Sequence, residues 1–127
     1  VNSQSEKGNH YMTKGVQAIL ARNAKRLRVL KGKSQRDMSL SAGVSQKTIS
    51  NLEWPESPIS PKLSTVEAVA RYFKLHPAIL LIDDVPDDAL TDRDLGAMIE
   101  DFVSLPHRRK RQIMDLIADF KSINDAD

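Results

Sequence analysis

With 127 residues, the chain has room for one compact domain and an accessory element, not for two large domains. Its 40% apolar and 28% charged residues are an ordinary globular balance, and the lack of cysteine excludes disulfides and thiolate chemistry. Net charge is +2, yet residues 1–80 hold 13 Lys/Arg against 5 Asp/Glu (+8) and residues 81–127 hold 6 against 12 (−6), so a polyanionic partner suits only the first part.

Residues 1–15 are polar and aperiodic and read as a flexible N-terminal arm. Leu20, Ala24, Leu27 and Leu30 at helical spacing predict a first helix over 16–31, stopped by Gly32. Ser34 is the expected cap of a short helix over 35–41, with Met38 inward. Ala42-Gly43-Val44 then forms a turn, and Ser45 caps a helix over 46–54 that Pro55 closes.

The prolines of 55–61 predict a stiff loop. Ser60-Pro61 reads as the cap and first residue of a fourth helix, which runs to 74 through Leu63, Val66, Val69, Ala70 and Phe73. A short fifth helix after His76-Pro77 contributes Ile79, Leu80 and Ile82, and residues 83–90 read as an acidic linker. Thr91 with Asp94 is the pattern of a capping box for a helix to about 103, striped by Leu95, Met98, Ile99 and Phe102. The last helix carries Ile113, Leu116, Ile117, Phe120 and Ile123, followed by a tail at 124–127. No strand-like alternation appears, so the expected fold is all-α: a five-helix domain over 16–82 and a two-helix C-terminal element over 91–123.

The stretch SQRDMSLSAGVSQKTISNLE at 34–53 resembles the helix-turn-helix of the lambda-repressor/Cro-like family, also called the xenobiotic-response-element type. The likeness rests on a Ser-Gln helix start, Ala-Gly-Val-Ser in the turn and Ile-Ser-x-Leu-Glu in the next helix, and it extends over residues 16–82. Gly43 permits the left-handed backbone that a tight interhelical turn needs. Val44, Ile49 and Leu52 are expected in the core, which leaves Gln46, Lys47, Ser50 and Asn51 on the opposite face. Gln and Asn can pair with adenine, and Lys suits the acceptors of guanine. The resemblance implies base contacts from Gln46 and Lys47 first and Asn51 next. It also implies double-stranded DNA as partner, a phosphate clamp at Gln35 and further backbone contacts from Thr48, Ser57, Ser60 and Lys62.

The same resemblance makes Arg28 and Glu53 an internal ion pair, structural despite their charge. Two departures stand out: Ser39 where the family often has alanine, and Trp54-Pro55 where a glycine commonly closes the recognition helix. Trp54 is expected to pack beneath the proline-rich loop, since an indole is costly to leave in water.

The two C-terminal amphipathic helices need a partner for their apolar stripes. A homodimer interface built from Leu95, Met98, Ile99, Phe102, Ile113, Leu116, Ile117 and Phe120 is the expectation, because helix-turn-helix proteins bind two half-sites symmetrically. The basic run His107–Arg111 stands at a helix start, where cations are disfavoured. Pairing with Asp92, Asp94, Glu100 and Asp101, and of Arg111 with Asp115, is preferred there over DNA contact.

No metal-ligand spacing joins His10, His76 and His107, no glycine-rich phosphate loop occurs, and too few residues follow the domain for a self-cleaving peptidase, so no enzyme and no cofactor are expected. No apolar run nears the roughly 18 residues that cross a bilayer, and the N-terminal residues lack the apolar core of a secretory signal. A cytoplasmic, nucleoid-associated transcriptional regulator without membrane contact follows, most simply a dimeric repressor of a near-palindromic operator. The alternatives are an antitoxin whose acidic C-terminal part holds a protein partner, and a restriction-modification controller.

Overall fold

A computed structural model describes residues 15–126, with side chains through residue 123. The expected arm over 1–15 thus lies outside the described residues except for Gly15, as do the side chains of the 124–127 tail. The described residues are all-helical: α1 (Val16–Leu30), α2 (Gln35–Ala42), α3 (Gln46–Leu52), α4 (Leu63–Phe73), a 3-10 turn (Pro77–Leu81), α5 (Asp87–Leu90), α6 (Asp94–Ser104) and α7 (His107–Ala126). They divide into two compact units, one ending at Gly96 and one beginning at Ala97.

In the first unit, α1 buries Ile19, Leu20, Ala24 and Leu27, a stripe at helical spacing that meets the 3-10 turn and α3. α2 contributes Met38, α3 Ile49 and Leu52, α4 Val66, Val69, Ala70 and Phe73, and the 3-10 turn Ile79 and Leu80. Asn23, Glu53, Ser57 and Thr65 are the buried polar residues of this unit. Asn23 donates from Nδ2 to the carbonyl oxygens of Leu80 (2.8 Å) and Ile82 (2.9 Å), so a buried amide pins the 3-10 turn to α1.

Several boundaries differ from the sequence reading, each for a local reason. α3 stops at Leu52, two residues early: Glu53 is its C-cap, and the Trp54 N–H bonds back to the Asn51 carbonyl in a tighter turn. α4 begins at Leu63, with Lys62 rather than Ser60 at the N-cap and no side-chain cap. Leu63, expected on the inward stripe, is 87% exposed because it falls in the first turn, before α4 meets the core. Ile82 is 38% exposed; its N–H bonds back to the Ile79 carbonyl and its own carbonyl accepts from Asn23.

The largest correction concerns 83–90, read above as a linker. Val85 and Leu90 are buried, and α5 packs against α1. The charges act locally: Arg26 donates to the Val85 carbonyl and its Nε stands 3.4 Å from Asp87, while Arg22 faces Asp83. The Thr91 hydroxyl does not open α6. It bonds back to the Asp87 carbonyl, and the Asp92 carboxylate accepts the Asp94 N–H instead. Gly96 then passes so close to His76 that an added Cβ would lie 2.7 Å from the His76 Cβ. Only glycine allows that approach.

In the second unit, Ile99 and Phe102 of α6 are half-buried, whereas Met98 is 65% exposed. On α7, Ile113, Met114, Leu116, Ile117, Phe120 and Ile123 are all exposed. Among the described residues Arg111 and Asp115 form no ion pair; in the basic run, Arg109 donates to the Gln112 side chain. No described helix is long and apolar enough to cross a membrane.

Candidate nucleic-acid interface

The site begins at the entry to α2. Ser34 Oγ accepts the Asp37 N–H while the Asp37 carboxylate accepts the Ser34 N–H, each at 3.0 Å, a reciprocal capping box. The bond from the Ser34 N–H, aided by the Ser34 side chain, stabilises the ionised form and holds the Asp37 carboxyl below its ordinary value. α2 ends on Gly43 at φ 70°, where a side chain would be strained, and this left-handed residue turns the chain toward α3. Ser45 caps α3 by accepting the Thr48 N–H, and the two hydroxyls lie 2.7 Å apart.

α3 is oriented by its inward side. Ile49 and Leu52 are buried and Val44 is half-buried, so Gln46, Lys47 and Ser50 stand exposed on the opposite face. Asn51 does not share that exposure. It is half-buried and, with Thr48, lines a groove of 560 Å³ whose other wall includes Ile59, Ser60, Lys62 and Ser64. The sequence-derived residues thus form two sets, an outward face and an adjoining groove.

The far end of α3 is held from within. Arg28 Nε and Nη2 grip the two oxygens of Glu53 at 2.8 and 2.9 Å, and Glu53 has a side chain only 3% exposed. This bidentate bond is the main reason the Arg28 pKa is raised further. Arg28 Nη1 also donates to the Lys33 carbonyl, so one guanidinium joins α1, the α1–α2 link and the cap of α3. Gln35 donates from Nε2 to the same Glu53 at 3.2 Å. Its second amide hydrogen remains for an outside acceptor.

Two loop expectations are overturned. Ser57, expected at a DNA phosphate, is buried; its Oγ bonds the Ile59 backbone and its carbonyl accepts Gln17. It folds the loop rather than facing a ligand. Trp54, expected beneath the loop, is 49% exposed because α3 ends two residues before it. Ser60 and Lys62 are exposed.

Sequence reading missed Asp37 and Asn23. Ser-x-x-Asp before a helical run is a legible capping signal. A lone Asn between Leu20 and Leu27 on an apolar stripe is also conspicuous, but its acceptors lie 57 and 59 residues away.

A family model described as helix-turn-helix matches residues 25–80, the segment from α1 through the 3-10 turn. Comparisons with curated proteins and with solved structures give no match. Residues 25–80 are therefore similar to the helix-turn-helix of the lambda-repressor/Cro-like family, a likeness that supports a DNA-binding transcriptional regulator in general.

Proposed function

We propose that the chain is a dimeric repressor that reads a near-palindromic operator by placing α3 in the major groove. The partition of α3 carries this reading: Ile49 and Leu52 hold one side in the core, leaving Gln46, Lys47 and Ser50 free to approach base edges. Asn51, at the rim of the adjoining groove, reads the next base. Phosphates are held by Gln35, Thr48, Ser60 and Lys62. The N-terminus of α4 supports that role, since it has no side-chain cap and so offers backbone donors to an anion. Ser57 has no part in it.

The second copy joins through α7, whose apolar side chains are exposed in the single chain. A lone helix of this kind is marginal in water, and one short recognition helix offers too little contact for a tight site. Regulation is then occlusion of a promoter at the nucleoid. Selection of bound DNA from a random pool tests the whole reading, with a two-fold site as the expected product. Lys47→Ala should lose about 1–3 kcal/mol and relax preference at one position in each half-site; an unchanged selected sequence would remove Lys47 from base reading.

A further inference from the structure

We propose that a second anion site, distinct from the recognition helix, lies between the ends of α1 and α4 and takes a small phosphorylated anion. Its pocket of 260 Å³ is lined by Lys31, Lys33, Tyr72, Phe73, Lys74 and Arg93. Four cations and no carboxylate form this wall. Among the described residues none of these four cations forms a close salt bridge, and only Lys33 feels a nearby carboxylate, that of Asp37.

The backbone supports a ligand-facing role. Lys74 caps α4 in the left-handed conformation, φ 59° and ψ 44°, where glycine is the residue that adopts it without strain. A lysine there keeps an ammonium at the pocket at the cost of backbone strain that glycine would not carry. Lys31 caps α1, so two helix C-termini also approach the site. Each carries roughly half a negative charge, about −1 in all, and four cations outweigh them.

The volume falls below the roughly 300 Å³ at which drug-sized pockets begin, which favours a compact ligand over a polymer. A multiply charged ligand gains most here, since every ammonium and the guanidinium can make a charge-assisted bond to phosphoryl oxygen. Tyr72, set edge-on to Phe73 with ring centroids 4.8 Å apart, supplies an aromatic wall for whatever the phosphoryl group is attached to.

Inorganic pyrophosphate titrated into the full chain without DNA, at constant ionic strength, is the test. Saturable amide shifts confined to Lys31, Lys33, Lys74 and Arg93 are expected by heteronuclear NMR. The K31Q/K74Q variant should bind at least about tenfold more weakly, whereas the K25Q/K121Q control, altered at exposed lysines elsewhere, should bind as the parent does. Non-saturating shifts over all basic residues, or equal weakening in both variants, would overturn the site. A second arm separates the source of the phosphate. If the pocket takes a free anion, the salt dependence of DNA binding is the same in K31Q/K74Q and parent. A slope smaller by about 0.9 per lost phosphate contact would assign the lysines to the DNA backbone and overturn the proposal.

Discussion

At the scale of single residues, Arg28 and Glu53 show how a charged pair acts as internal structure. Removing one partner from so buried a pair leaves the other charge unsatisfied, which costs more than the pair contributes in place. Glu53→Gln is therefore expected to destabilise the domain by about 3 kcal/mol in urea unfolding, and Arg28→Met combined with Glu53→Leu by less than that single change. Asp37 has a pH signature of the opposite kind. Its folded-state pKa is depressed, so its contribution is present above the unfolded value and is lost as pH falls through the lower, folded one. Acid titration should weaken protection of the Ser34 amide only below the ordinary carboxylate range, and Asp37→Asn should abolish that titration. Ser34→Ala, which removes the other half of the box, should cost about 1 kcal/mol at neutral pH.

At the scale of elements, helix existence was largely legible from periodicity, and helix ends less so. The stripe Leu20, Ala24, Leu27 sits in the core as its spacing predicts, because one helical face and one apolar core impose the same period. Leu63 and Leu30 have that spacing too, yet both are exposed, since a stripe continues past the last turn that meets a neighbour. The segment 83–90 shows the converse error. Its aspartates and proline are loop chemistry, but Val85 and Leu90 fill the core under Arg22 and Arg26 of α1. Leu90→Ala should consequently cost about 2–4 kcal/mol by denaturant unfolding. A change within about 0.5 kcal/mol would return the segment to the status of a linker.

At the scale of the whole molecule, the two units have different balances of burial. The first closes a core around α1, whereas α7 has no buried residue among those described. Ile117→Glu places a charge on the proposed interface without touching the first unit's core. By sedimentation equilibrium the parent chain should be a dimer at micromolar concentration and Ile117→Glu a monomer. Its helical content should fall by no more than α7 contributes, since that helix loses its partner while the first unit keeps its own core. A monomeric parent would end the proposal for α7.

The helix-turn-helix announced itself in the sequence because its determinants are local: caps at Ser34 and Ser45, a left-handed Gly43, and apolar residues spaced to orient α3. Such features depend on a few neighbouring φ/ψ angles and need no distant partner. The candidate base-reading face followed from them. Only tertiary structure separated Asn51 and Thr48, in the groove, from Gln46, Lys47 and Ser50 outside it. It also turned Ser57 inward, exposed Trp54 and drew the acidic segment onto α1. Those outcomes depend on which side chains meet across tens of residues, through contacts such as Gln17 with Ser57 and Arg26 with Val85, and local spacing carries no record of them.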